Sequence, residues 1–390
     1  MVTLQALKAR KGDALVLRCA TDSGASLVIV DGGAAGVFKS SLGPRLDELR
    51  AEMPRNDDGD LPTLRIDAVI VSHIDDDHIA GLLDLTDHML DQPPTGDRDY
   101  RISLMWHNSF DTIAGGIAKA LGSSEQRDVD AASLDELIEE FDVSPDGALL
   151  LLSVPQGRRL TDNARGLSIS LNSPWNGLVV ADPMFRSIVI APGVAATVLW
   201  PSAEQLRKLE AAWEKVEQKE KVSAAAFTDD KVWNLSSIVV LVESDGKTML
   251  LTGDARGDHV IEGARAMDVL TDDSPTFPVD VLKVPHHGSN RSNASPLFDA
   301  FPAGHYVISG NGEHGNPAVE TVQALIESRR KVPGPFTIYF TYPPEEFKPF
   351  RGTAYPLDEL RAVLDGATRN GVALTVVTPA DDDLGVTIQP

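Results

Sequence analysis

Residues 73 to 78 read His-Ile-Asp-Asp-Asp-His, two imidazoles and three carboxylates within six positions. Imidazole nitrogen and carboxylate oxygen are the donors that divalent cations take, so this density points to a metal-dependent hydrolase. The stretch follows an apolar run, Ile66-Asp-Ala-Val-Ile-Val-Ser72, and precedes Ile79-Ala-Gly-Leu-Leu-Asp-Leu85, which reads as a helix start. A strand ending in a short loop aims several donors at one point, because the strand fixes the direction of the loop. Alternation along an extended loop puts His73, Asp75 and Asp77 on one side, with His78 turned in by the helix start. A solvated acidic turn capping a helix accounts for one aspartate and leaves the flanking histidines unexplained.

Further strand ends carry ligand-type side chains. Leu250-Leu-Thr-Gly-Asp254 presents a carboxylate at the tip of an apolar run, and Leu282-Lys-Val-Pro-His-His-Gly-Ser289 ends in adjacent histidines. Neighbouring side chains on an extended segment point oppositely. One of His286 and His287 is therefore expected to bind metal, with His287 preferred, and the other to contact substrate or support the site. Gly310-Asn-Gly-Glu-His-Gly-Asn-Pro317 runs into a helix whose free amides would suit an anion, with Asn316 as its cap and His314 beside it. Trp106-His-Asn-Ser109 also ends an apolar run. A packed Trp with a surface His accounts for that segment, and His107 is the residue there that could line a pocket.

These segments need a scaffold, and the rest of the chain supplies one. Branched runs at 14–18, 27–30, 68–71, 238–242, 248–251, 279–284 and 306–309 read as strands of buried sheets. Helical patterns lie between them at 44–53, 133–141 with a Ser133/Glu136 capping box, 203–221, and 316–331 with Pro317 at the first helical position. The class is α/β. At 390 residues and 42% hydrophobic content a large core is affordable, and no repeat or clear linker divides the chain. A single domain over 1–390 is expected, with an insertion near 110–233 and a C-terminal extension near 333–390.

The single cysteine, Cys19, excludes an intrachain disulfide, and the first ten residues lack a signal-peptide apolar core, so cytoplasmic residence is expected. Apolar runs such as Ala148-Leu-Leu-Leu-Leu152 fall far short of the ~20 residues that cross a bilayer, so no membrane partner is expected. A formal net charge of −23 repels polyanions at long range and disfavours nucleic acid as a partner. Bound cations would offset the carboxylates locally.

Asp31-Gly-Gly33, His73-x-Asp-x-Asp-His78-x-Ala-Gly, Leu-Leu-Thr-Gly-Asp254 and Val-Pro-His-His-Gly-Ser289 stand in the order seen in metallo-β-lactamase-fold hydrolases. The chain most resembles the hydrolase domain attached to the competence protein ComEC, to which Gln5-Ala-Leu-Lys-Ala-Arg-Lys-Gly-Asp-Ala-Leu-Val-Leu-Arg18 is also similar. The matches cover about residues 1–90 and 234–330. This resemblance implies an αββα four-layer metallo-β-lactamase sandwich with the site at one edge of the sheets. It also implies two divalent metal ions, with His73 and Asp75 on the first, Asp77, His78 and His287 on the second, and Asp254 bridging. Catalytic roles then fall on Asp77, Asp254 and His286, with a hydroxide held by both ions as nucleophile.

Departures from the family pattern are specific. Asp75 stands where most members have His, which hardens the site and moves preference from zinc towards manganese, iron or magnesium; zinc and manganese are the expected ions. Asn234 stands where a histidine ligand often stands, so the first ion is expected to be loosely held. Asn316 replaces the histidine of a Gly-His-Pro, with His314 nearby as a substitute in contacting substrate. A phosphodiester or other anionic phosphoester is the expected substrate. The alternatives are an acyl hydrolase of lactones, β-lactams or thioesters, and a non-catalytic metal-binding scaffold.

Overall fold

Apolar runs buried on both faces need cover on both sides, and the chain provides it as four layers. The description rests on a computed structural model, and covers residues 1–21, 24–55, 59–93, 98–109, 145–208, 236–290, 292 and 295–390. One sheet contains β1 (Val2–Leu7), β2 (Leu15–Thr21), β3 (Gly24–Val30), β4 (Leu64–Ile70), β5 (Tyr100–Trp106) and the short β6 (Ser170–Leu171). The second contains β7 (Ile188–Ala191), β8 (Val194–Trp200), β9 (Val239–Ser244), β10 (Lys247–Leu251), β11 (Val279–Lys283), β12 (Ala303–Ile308), β13 (Phe336–Phe340) and β14 (Leu374–Val377). A last strand, β15 (Gly385–Ile388), returns to the first sheet, whose order is β15-β1-β2-β3-β4-β5-β6; the second runs β14-β13-β12-β11-β10-β9-β8-β7.

Strand β4 shows why the run from 68 to 71 is apolar throughout. Ala68 and Ile70 enter the layer between the sheets with Val28, Val30, Val240, Leu251 and Val281. Val69 and Val71 face the other way, against Ile79, Leu82 and Leu83 of the helix α2 (Asp76–Asp91). Each fully buried aliphatic side chain is worth roughly 1.5–3 kcal/mol, so both faces hold the strand in place. Helices α1 (Gly43–Ala51), α2 and α3 (Pro145–Gly166) cover the first sheet. Helices α4 (Gly257–Ala266), α5 (Ser295–Ala300), α6 (Val319–Lys331) and α7 (Leu357–Arg369) cover the second. The result is the expected αββα sandwich.

Pairing determines where the strand ends meet. Strands β3, β4, β5 and β6 are parallel neighbours, as are β10 to β14, so their C-terminal ends line one edge of each sheet. Crevices outside the carboxyl ends of parallel strands are where α/β folds build sites. The β1–β2 turn joins the same edge, because antiparallel pairing sets Leu15 opposite Val30 at the end of β3.

Residues 333–390 pair into both sheets: β13 and β14 extend the second sheet, and β15 pairs with β1 as the edge of the first. Within the expected insertion, β6, β7 and β8 also join the two sheets. Helix α6 begins at Val319 with Ala318 as N-cap, so Pro317 precedes the helix and Asn316 does not cap it; the Asn316–Pro317 peptide is cis. The 133–141 capping-box helix and Asn234 lie outside the described residues, as does 209–221 of the helix expected over 203–221. No described helix is long and apolar enough to cross a membrane.

Candidate metal centre

The dense motif sits on a strand-to-helix junction. After β4 the chain runs extended to Asp75, the N-cap residue of α2 (φ −62, ψ 144), so Asp77 and His78 belong to the first helical turn. The expected alternation therefore stops at Asp75: a helical turn, and not an extended loop, brings Asp77 inward, while His78 is turned in by the helix start as expected. Asp76 turns elsewhere, 3.3 Å from Gln156 Nε2 and 4.0 Å from Lys11 Nζ. The β1–β2 turn presses against this helix end, and a Cβ added to Gly12 would lie 1.6 Å from the Asp77 carbonyl oxygen.

Asp254, just beyond β10, stands at the centre. Its Oδ1 lies 3.3 Å from His78 Nε2, 3.6 Å from His287 Nε2 and 3.9 Å from Lys283 Nζ. Its Oδ2 lies 3.6 Å from His286 Nε2 and 3.9 Å from His73 Nε2. Asp75 Oδ2 is 3.5 Å from His73 Nε2, and Asp77 Oδ2 is 3.6 Å from His287 Nε2. Donor atoms of His73, His78 and Asp254 fall within 4.8 Å of one another, as do those of Asp77, His78 and His287.

A divalent cation fits these residues. His73 Nε2, His78 Nε2, His287 Nε2 and Asp254 Oδ1 are buried and make no hydrogen bond among the described residues. Each unsatisfied buried polar atom costs about 1–3 kcal/mol, and four converging ones are what a cation would satisfy.

Hydrogen bonds on the far side of each ring set this convergence. Asp31, at the end of β3, accepts from the Ser72 amide at 2.7 Å and the Ser72 hydroxyl at 2.6 Å, and its Oδ2 is 2.8 Å from His78 Nδ1. Because Ser72 Oγ donates to Asp31, it accepts from His73 Nδ1 at 2.9 Å. His287 Nδ1 lies 3.1 Å from Ser309 Oγ and 3.3 Å from Asp13 Oδ1, and Ser309 Oγ itself donates to Asp13. All three rings thus keep a proton on Nδ1 and aim Nε2 inward, the arrangement that raises ligand basicity once Nε2 is deprotonated. Asp13 is in turn ion-paired to Lys283, whose side chain is 0% exposed and whose Nζ donates to the Gly253 carbonyl at 3.0 Å.

The charges are strongly coupled. Burial opposes ionisation of Asp254, but His286, His287 and His78 hold its carboxyl well below the usual carboxylate range. Asp13 is likewise held down against burial by the Lys283 ammonium and His287, and Asp77 by His287 and His78. Conversely, although burial favours the neutral ring, Asp254 and Asp13 push His287 up to about 9; Asp254 and Asp31 raise His78 in the same way. Protons hold the positions that cations would take.

The adjacent histidines depart from expectation. They are not on an extended segment: β11 ends at Lys283, and His286 and His287 occupy a left-handed turn at φ 48 and 52. Side chains do not alternate there, so both rings reach Asp254. His286 Nδ1 is 3.1 Å from Ser292 Oγ. His107 is buried, with Nε2 3.1 Å from the Gly157 carbonyl oxygen of α3. His314 is exposed, its ring 5.5 Å from that of Phe350, close enough to the centre to feel the charges of Asp77 and His287. Several amides of its loop are engaged within the chain: Gly310 with Thr341 Oγ1, Glu313 with Asn311 Oδ1, Gly315 with the Gly312 carbonyl, and Ala318 with the Gly288 carbonyl. The expected anion cradle is correspondingly smaller.

Residue types alone did not reveal Asp13, Lys283, Ser72 and Ser309. A Gly-Asp-Ala turn reads as any hairpin turn, and a lysine inside a strand reads as an exposed position. A charged residue within the otherwise apolar stretch from Val281 to Val284 was the available signal for Lys283.

No family model matches the chain, and no curated protein matches it in sequence. Among solved structures, zinc-bound PqqB from Methylobacterium extorquens aligns over 100% of both chains at 12% identity, with a TM-score of 0.40.

Proposed function

We propose that the chain is a metal-dependent hydrolase of phosphodiesters or related phosphoesters, built on a ComEC-like variant of the metallo-β-lactamase site. The observation that carries this reading is the convergence of unsatisfied His73, His78 and His287 Nε2 on Asp254, each ring oriented from behind by a serine or aspartate. His73, Asp75, Asp77, His78, Asp254 and His287 would hold two divalent cations, zinc or manganese. Such ions supply Lewis acidity, generating hydroxide from water at neutral pH and offsetting charge on the attacked ester.

The chain's own residues do the rest. Asp31 and Asp13 keep the imidazoles in one tautomer, and Asp254 presents an oxygen to each side. Lys11, half-buried beside Asp76, places positive charge at the rim of an otherwise acidic chain, which favours an anionic substrate; partial burial and Lys11 hold His314 below the usual imidazole range, so its ring offers a neutral hydrogen-bonding group. The carboxylates Asp75 and Asp77 make the donor set hard, as suits phosphoryl oxygen.

The test is hydrolysis of bis-nitrophenyl phosphate by protein loaded with manganese or zinc, beside lactone and thioester panels. Turnover of the phosphodiester alone supports the reading. Turnover of a lactone or thioester with the phosphodiester untouched replaces it with acyl hydrolysis. Metal-loaded protein inert on every panel leaves a scaffold.

A further inference from the structure

We infer that His286 is a metal ligand in its own right, completing the first cation's donor set. The inference rests on the two-cation reading above and assigns a role to a residue that reading leaves out. Each oxygen of Asp254 faces a pair of histidines, and Oδ1 also lies 3.9 Å from Lys283 Nζ. Oδ1 faces His78 and His287 at 3.3 and 3.6 Å, with Asp77 3.6 Å beyond His287. Oδ2 faces His73 and His286 at 3.9 and 3.6 Å, with Asp75 3.5 Å beyond His73.

Two ligands that each sit ~2.0–2.2 Å from one ion stand about 3–4 Å apart, which these separations match. Each side then offers two imidazoles, one aspartate and one oxygen of the shared Asp254. A five- or six-coordinate ion with four such donors retains a position for water.

The backbone makes this possible. Because His286 and His287 both lie in the left-handed region, consecutive rings approach Asp254 from two directions, with planes at 87° and centroids 6.0 Å apart. Ser292 Oγ, 3.1 Å from His286 Nδ1, can hold that nitrogen protonated and leave Nε2 as the donor, as Ser309 does for His287.

The experiment counts ions per chain by mass spectrometry after equilibrium dialysis against Mn²⁺ or Zn²⁺, with stepwise affinities from calorimetry. His286→Asn is the primary variant, because Asn tolerates the left-handed backbone. Ser292→Ala leaves the ring in place and serves as the second. Wild-type protein is expected to bind two ions, His286→Asn one, and Ser292→Ala two, with one step weakened roughly 10–100-fold. If wild type and His286→Asn both bind two ions with unchanged affinities, His286 is no ligand and the two-cation reading stands. A wild-type chain that binds one ion or none overturns the two-cation reading and this inference with it.

Discussion

His78 and His287 flank the same oxygen of Asp254, yet the chain supports them by different means. His78 sits in the first turn of α2, and Asp31 holds it from the end of β3 through a hydrogen-bond network closed by Ser72, with no buried lysine in it. His287 sits in a left-handed turn, and Asp13 holds it only as part of an ion pair with the fully buried Lys283. The first arrangement relies on hydrogen bonds to a helix terminus. The second relies on charge sealed in the core, where removing one partner leaves the other uncompensated. One half of the site should therefore be tolerant and the other brittle.

Asp254 joins the halves, so Asp254→Ala should remove both: no stoichiometric metal, and a fall in kcat/KM on a phosphodiester of roughly three orders of magnitude or more. An active, metal-replete Asp254→Ala protein would deny the carboxylate its central place. Asp13→Ala should destabilise the metal-free fold by about 3–5 kcal/mol in urea titration, because Lys283 loses its buried partner. A cost no larger than that of Asp31→Ala would erase the contrast.

Titration tests both halves together. His287 is raised from 6.5 to about 9, so the metal-free fold binds this proton more tightly than the unfolded chain does. That stabilisation is complete below pH 6.5 and is lost as pH rises through about 9. His78, raised by Asp254 and Asp31, acts in the same direction. Metal-free protein should lose about 3 kcal/mol of stability across this window, while metal affinity climbs as the competing protons leave. Thermal melts with and without Mn²⁺ at several pH values measure this; stability flat or rising between 6.5 and 9 in the metal-free protein contradicts it.

On the tolerant side, Asp31→Asn should keep the fold and weaken metal binding roughly 10–100-fold by loosening His78. Calorimetry showing unchanged affinity would make Asp31 purely structural. Comparable in size is Gly12→Ala, whose methyl would collide with the Asp77 carbonyl; displacing the β1–β2 turn should cost about 1–3 kcal/mol. A melt unchanged from wild type would mean that this close approach is not required.

What the amino-acid order determined alone was local: His73 to His78 as a donor cluster, the strand tips at Asp254 and His287, and the alternation of buried strands with amphipathic helices. Short-range rules of periodicity and donor chemistry suffice for these, because they act within a few residues. Tertiary structure decided which distant pieces share the site. Asp13 and Lys283 lie far apart in sequence, and only the meeting of the β1–β2 turn with the end of β11 makes them a buried pair. It also decided that residues 333–390 complete both sheets, since strand pairing is non-local, and that both His286 and His287 face Asp254. The last point depends on backbone dihedrals at two positions. No rule of side-chain spacing reports those, because alternation presumes an extended chain that the turn does not adopt.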